Sequence, residues 1–552
     1  MNINKSTKLI VLITVAIFII NLIFRYFTLT DCGIWYDEAF SIFYSQKELY
    51  MIKNTAQWDI APPFYYYVLH YWMLLFGNNE NAVRMLSVLF TCFASSILFL
   101  FTYRFFNLNT AIFTTILFFT SNEIFYFSQE ARTYSLVVLF SIVSAYLFFE
   151  LLRNQKWHWV VLIGIVNWAA IYSHYFFLFI PVIQFVTVVL ARNKKAVLFL
   201  TISFAISALL FWEWLIRIYD VLLHGSVSKE IAHLTISDLF NLIKSLAGET
   251  ILFYLIFPLV VIGLFYFIIS KNKFKNNIPP SSLIYILLWA LLPIILIYFL
   301  SNGRGGIFTP RYLLFTTPGL CLVNSFFISH IPLNRILRAS LIIVIFITGF
   351  FTINFNFSKF TDHKSAVPYV ISEKDNNTLI IVQTTSIRHL FTYYIDRIIF
   401  NDYKNIDTRM IYKNIIFKDD SSTIHGKLTD GFKKIILVRT FPPFPNNIFF
   451  YLKKRYKSLS ENNQFSEVSI SLFTDPVIDT VINENARFSV LLNDYNQTEF
   501  DLRYAFYKNA IMNSSEWLNT IRLQAEKENQ PFDSTVSKNI IYLINLEKSK
   551  KH

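Results

Sequence analysis

From Leu9 to about Phe355 the chain alternates between long, nearly uncharged apolar runs and short polar breaks. Runs of about 18 apolar residues or more read as membrane-spanning helices, because within lipid a helix satisfies its own backbone polar groups. The pattern predicts about eleven spans, near 8–29, 82–103, 109–127, 132–152, 157–173, 175–191, 196–217, 250–270, 281–301, 311–331 and 338–356. In the first long break, apolar positions from Glu38 to Ile52 suit a helix with Ala39, Ile42, Phe43, Leu49 and Ile52 on one side. Pro62-Pro63 should start a second helix, Phe64–Phe76, which Gly77-Asn78-Asn79 should end. Ile236, Leu239, Phe240, Ile243 and Leu246 recur at helical spacing, with Thr235 or Ser237 as a cap.

After about Phe357 the period shortens. Strand-like runs stand at Thr378–Thr385, Lys434–Thr440, Glu467–Thr474 and Arg487–Leu492, with polar or helical segments between them. The expected architecture is therefore a polytopic α-helical membrane domain, residues 1–356, followed by a small α/β domain, residues 357–552. The last 195 or so residues carry no glycine-rich phosphate loop, no zinc-ligand spacing and no nucleophile elbow.

Composition supports the membrane reading: 54% of the 552 residues are hydrophobic and only 15% charged, against about 25% charged in an ordinary soluble domain. A net charge of +13 raises nucleic acid as a partner. The distribution of that charge argues against it. Lys5/Lys8, Arg104, Arg153/Lys156, Arg192/Lys194/Lys195, Lys271/Lys273/Lys275 and Arg335/Arg338 sit in short breaks with few acids. The positive-inside rule accounts for them and places these breaks and the N-terminus in the cytoplasm. The breaks 30–81, 128–131, near 174, 217–249 and 302–310 then face outward. An odd number of spans puts residues 357–552 outside an inner (plasma) membrane as well. Three cysteines, Cys32, Cys92 and Cys321, suggest neither a disulfide framework nor a metal cluster.

The outward breaks carry the candidate chemistry. Asp37 and Glu38 are adjacent carboxylates just after the first span; in a partly dry cleft, mutual repulsion would raise one of their pKa values, as a general base requires. A solvated pair of loop acids is the plain alternative. Glu123, Glu130 and Arg132 bracket a tight turn, where Glu130 and Arg132 can simply pair. Arg304 and Arg311 flank a glycine-rich loop, and guanidinium grips phosphate through two hydrogen bonds; snorkelling to lipid headgroups is their plain alternative. His174, taken alone, reads as a packed interfacial side chain. Together these groups ask for an anionic, lipid-attached substrate whose phosphate leaves as a hydroxyl attacks.

The stretches Trp35-Tyr36-Asp37-Glu38-Ala39, Ala61-Pro62-Pro63-Phe64-Tyr65-Tyr66 and Leu75-Phe76-Gly77, with Glu80, Ala82, Arg84 and Ser87, resemble the start of bacterial family 39-type glycosyltransferases. These stand with the protein O-mannosyltransferases and the lipid A aminoarabinose transferase in the GT-C fold. Ser128-Gln129-Glu130-Ala131-Arg132-Thr133-Tyr134, Ser173-His174-Tyr175 and Pro310-Arg311-Tyr312 continue the likeness in order, over most of residues 1–356. The resemblance implies inverting sugar transfer from a polyprenyl-phosphate donor to a hydroxyl acceptor, with no cofactor and no catalytic metal. It implies Asp37 as general base, Glu38 as its support, and Arg132, Arg304 and Arg311 on the donor phosphate. Glu130, His174, Tyr312, Pro62 and Pro63 would complete the substrate contacts. A transporter or flippase of lipid-linked sugars is the competing class; its binding groups would be expected near the bilayer midplane on broken helices. A membrane scaffold with a partner-binding outer domain leaves the first-loop motif unexplained.

Overall fold

The computed structural model describes the chain except for residues 1–4, 30–31, 55–61, 225–233, 270–278, 302–306, 356–360, 420–427, 441–446, 478–489, 497–502, 505–506, 509–510, 513–514, 529–530 and 550–552. The described residues form two compact units. One comprises Met1–Cys32 with Phe40–Ser358, the other Gly33–Ala39 with Lys359–His552.

The first unit is helical: α1 (Lys5–Tyr26), α2 (Tyr36–Ser45, whose first residues group with the second unit), α3 (Leu49–Asn54), α4 (Phe64–Phe76), α5 (Glu80–Phe105), α6 (Leu108–Phe119), α7 (Asn122–Phe127) and α8 (Tyr134–Asn154). It continues with α9 (Trp157–Ile171), a 3-10 turn at Tyr175–Leu178, α10 (Phe179–Leu190), α11 (Lys194–His224), α12 (Ile236–Ile269), α13 (Pro280–Ser301), α14 (Pro310–Leu313), α15 (Thr317–Ser329) and α16 (Arg335–Phe351). By length and composition, seven described helices can cross a membrane, and the helices at Leu108–Phe119, Trp157–Ile171 and Tyr175–Leu190 are apolar but shorter.

Local chemistry sets the ends. Asn79, Asn107, Ser121 and Asn334 each accept a backbone N–H from the first turn of α5, α6, α7 and α16. Thr235 and Asp238 cap α12 reciprocally, the Asp238 carboxylate taking the Thr235 N–H at 2.7 Å. Two expectations are corrected here. The run Glu38–Ile52 breaks into α2 and α3 rather than forming one helix. The span expected at 109–127 stops at Thr120, where Ser121 starts the short α7. The expected break between the interfacial helix and the following span is present: within α12, Gly248 and Glu249 leave helical geometry.

Within the bundle the packing is tight enough to need specific residues. A Cβ on Gly263 of α12 would lie 2.0 Å from the Phe327 carbonyl oxygen of α15, so only glycine permits that crossing. A buried polar triad ties α8, α9 and α10: Ser144 Oγ donates to Asn167 Oδ1 at 2.7 Å, and Gln184 Nε2 donates to Ser144 Oγ at 2.8 Å. Such interhelical bonds average about 0.6 kcal/mol each in membranes. They select a helix arrangement more than they add stability.

The second unit holds α17 (His363–Ser372), α18 (Arg388–Ile395), α19 (Arg397–Asn401), α20 (Ile406–Tyr412), α21 (Asn447–Lys453), α22 (Ser515–Glu528) and α23 (Phe532–Ser549) around a five-stranded sheet. The strands are β1 (Thr378–Gln383), β2 (Ile415–Lys418), β3 (Lys434–Thr440), β4 (Tyr456–Phe465) and β5 (Val468–Pro476), in the order β2-β1-β3-β5-β4. β1 runs parallel to β2 and β3, while β5 runs antiparallel to β3 and β4. Every residue of β1 is buried, as a central parallel strand requires. The expected strand at Arg487–Leu492 is not one where it is described: residues 490–496 are helical.

Candidate active site

Three turns of the membrane unit converge on His174. The first is the tight turn between α7 and α8. There Ser87 Oγ donates to the Glu130 carbonyl at 2.5 Å, Gln129 Nε2 donates to Thr28 Oγ1 at 2.6 Å, and the Arg132 N–H donates to the Glu130 carbonyl at 2.8 Å. Glu130 is thereby fully buried. The Arg132 guanidinium donates to Ser41 Oγ of α2 at 3.2 Å.

The second turn is Ser173-His174, between α9 and the 3-10 turn. Thr133 Oγ1 donates to the Ser173 carbonyl at 3.2 Å, which fastens it to the first turn. The start of α4 joins them, since the Phe64 N–H beside Pro62-Pro63 donates to the Tyr172 carbonyl at 3.0 Å. Both prolines are buried.

The third turn is Pro310-Arg311-Tyr312, which opens α14. The Tyr312 ring lies 5.5 Å from the His174 ring, and the Arg311 guanidinium stacks on Tyr312 at 4.9 Å. Tyr134 closes the other side of His174 at 6.2 Å.

The electrostatics of His174 report what surrounds it. Part of its surface stays open, but dry surroundings push its pKa down to about 4, helped by the Arg132 and Arg311 cations. The ring is therefore neutral at ordinary pH. Its Nδ1 accepts the Phe176 N–H at 3.3 Å, so the single ring proton belongs on Nε2, which becomes a donor. Two guanidiniums and a neutral N–H donor at one place have the chemistry to hold an oxyanion.

Below its ordinary range, such a histidine binds fewer protons folded than unfolded. Its stabilising contribution is complete above about 6.5 and is lost as pH falls towards 4. Unfolding in detergent micelles is therefore expected to become easier over that window, by at most about 3 kcal/mol. His174→Gln, which cannot titrate there, should flatten the fall. An unchanged slope would show that other groups cause it.

Asp37 and Glu38 belong to the second unit with Gly33–Ala39 and lie in the first turn of α2. The two are not equivalent. Asp37 is half-buried, whereas Glu38 is fully buried and accepts the Trp35 N–H at 3.3 Å, capping its own helix. Arg304 and the segment 55–61 lie outside the described residues. Glu123 hydrogen-bonds Ser245; burial, reinforced by the Glu249 carboxylate and opposed by that hydrogen bond, holds its pKa up. Among the described residues no three His, Cys, Asp or Glu side chains gather as metal ligands do.

Sequence reasoning missed the anchors. Arg84 appeared only as a motif member, yet it is buried and donates to the carbonyls of Cys32 at 2.8 Å and Leu29 at 3.3 Å, fixing the exit from the first span. The signal was present as a lone arginine in an apolar run, the kind of residue that must find partners in lipid. Ser41 carried no signal.

Residues 61–216 match the family model described as dolichyl-phosphate-mannose-protein mannosyltransferase. No curated protein matches the chain. Among solved structures, ArnT from Cupriavidus metallidurans bound to undecaprenyl phosphate is 12% identical with a TM-score of 0.56, over 84% of this chain and 97% of that one. The apo state of the same protein is 13% identical with a TM-score of 0.55, over 85% and 98%. The family match and the solved structures agree: this chain shares the fold of ArnT and, over residues 61–216, is similar to the dolichyl-phosphate-mannose-protein mannosyltransferase family.

Proposed function

We propose that this protein is a glycosyltransferase of the inner membrane that moves a sugar from a polyprenyl phosphate to an acceptor hydroxyl at the extracytoplasmic face. The observation that carries the reading is the gathering of Arg132, Arg311 and neutral His174. Two guanidiniums and an N–H donor brought to one place favour binding of a phosphate oxyanion. The ArnT structure that shares this fold holds undecaprenyl phosphate, a ligand of that chemistry. The charge pattern of the short breaks supports a cytoplasmic N-terminus and an extracytoplasmic C-terminal domain.

In this mechanism the Asp37 carboxylate takes the proton of the acceptor hydroxyl. The acceptor oxygen attacks the anomeric carbon from the face opposite the phosphate. The bond from that carbon to the phosphate oxygen breaks with inversion, and polyprenyl phosphate departs. Arg132 and Arg311, with Arg304, stabilise the charge developing on the leaving oxygen. The Nε2–H of His174 donates to a phosphate or sugar oxygen. Glu130, Tyr312, Pro62 and Pro63 shape the pocket, and Glu38 holds the helix that carries Asp37.

Proteoliposomes supplied with polyprenyl-phosphate sugar and cell-envelope acceptors are expected to release free polyprenyl phosphate as the acceptor gains one sugar mass. Movement of the intact lipid-linked sugar across the bilayer, without release of polyprenyl phosphate, would establish a flippase instead. Mass analysis of envelope glycans and lipids with and without the protein identifies the acceptor.

A further inference from the structure

The segment that leads into Asp37 is gripped by helices from the far end of the sequence. The Ile34 N–H donates to the Tyr394 hydroxyl oxygen at 2.6 Å, and Ile34 itself is 1% exposed. Gly33 lies against the same hydroxyl and against Lys364. A Cβ on Gly33 would sit 2.7 Å from the Tyr394 Oη and 2.8 Å from the Lys364 Cβ, so any larger residue would push this grip apart. Tyr394 belongs to α18 and Lys364 to α17, in the same compact unit as Gly33–Ala39. α18 is itself held firmly. Its Tyr393 packs edge-on to Phe400 at 5.2 Å and lies under the Arg397 guanidinium at 3.6 Å.

From Ile34 onward the chain has little slack. Trp35 donates its N–H to Glu38, and the Ala39 N–H returns to the Trp35 carbonyl at 3.0 Å, closing the first turn of α2. Asp37 lies inside that turn. Its backbone is thus held by the Glu38 cap within the turn and by the Tyr394 hydroxyl just before it.

We infer that Tyr394 is a positioning residue for Asp37, acting through the Ile34 amide, and that the C-terminal domain is thereby part of the catalytic machinery. The inference rests on the reading of Asp37 as the base. Tyr394 touches no reacting atom. Its hydroxyl is the acceptor that an otherwise buried backbone N–H requires. Without it the first turn of α2 is free to shift. A base displaced by a fraction of an ångström spends less time in line with the acceptor hydroxyl, which slows the chemical step and leaves donor binding alone.

Tyr394→Phe in the full-length protein removes this acceptor and keeps the ring. It is expected to lower kcat about tenfold or more while leaving KM for the donor within about twofold. Amide hydrogen exchange of the peptide spanning residues 33–40 should rise, with the peptides around His174 unchanged. Gly33→Ala attacks the same contact from the other side and should give the same split, and the double variant should fall short of the product of the two effects. This second variant also answers a folding failure of the first. A kcat within twofold of wild type for both variants, or unaltered exchange at 33–40, overturns the inference even if Asp37→Asn is inactive. Retained transfer in Asp37→Asn overturns instead the assignment of the base, and with it any catalytic reason for the grip.

Discussion

Asp37→Asn is expected to abolish measurable sugar transfer, with kcat falling about 10³-fold and the affinity for polyprenyl phosphate unchanged. The amide keeps the volume and much of the hydrogen bonding of the carboxylate but cannot accept the acceptor's proton. The half-buried position in the first turn of α2 should tolerate it without loss of fold. Glu38→Gln provides the contrast. Glu38 is fully buried and caps α2 through the Trp35 N–H, so its loss should appear first as reduced stability, with residual transfer by the molecules that remain folded. Equal loss of kcat in a stably folded Glu38→Gln would assign proton transfer to the pair rather than to Asp37. Transfer by Asp37→Asn at the wild-type rate would remove the base from the mechanism.

Arg132→Gln and Arg311→Gln are each expected to lower kcat/KM for the lipid donor about 10²-fold, because each removes a cation from the proposed phosphate site. Both cations lower the pKa of His174, so both lie near one point. Their effects should therefore be less than multiplicative in the double variant. Lysine at either position should restore only part of the activity, since an ammonium supplies charge without the two-pronged geometry of guanidinium. A second readout is independent of catalysis. Removing either arginine relieves repulsion on the imidazolium, so the acid-induced loss of stability assigned to His174 should become smaller and level off at a higher pH. Donor affinity and kcat unchanged in both variants would move the phosphate site elsewhere.

Much of the architecture is readable in the chain itself. Phe64–Phe76 and Lys434–Thr440 are legible in the chain, the first because proline and glycine punctuate it at both ends, the second because a continuous apolar run marks a buried strand. Elements whose stability comes from neighbours were not readable. β4 is polar along most of its length and exists because β5 pairs with it, and the short β2 depends on β1. The break between α2 and α3 carries no proline or glycine to announce it.

The site divides in the same way. The sequence by itself determined a many-span membrane protein with a small α/β domain and a first-loop motif centred on Asp37, because length, hydrophobic period and local motifs are properties of contiguous residues. Only the tertiary structure decided that His174, which alone reads as a packing residue, lies close enough to Arg132 and Arg311 to feel both charges. Only it separated two adjacent carboxylates into a half-buried Asp37 and a buried helix cap at Glu38, and tied their segment to Tyr394. Burial, charge environment and hydrogen-bond partners belong to positions in space, and chain order does not specify which distant turns the packing of helices will bring together.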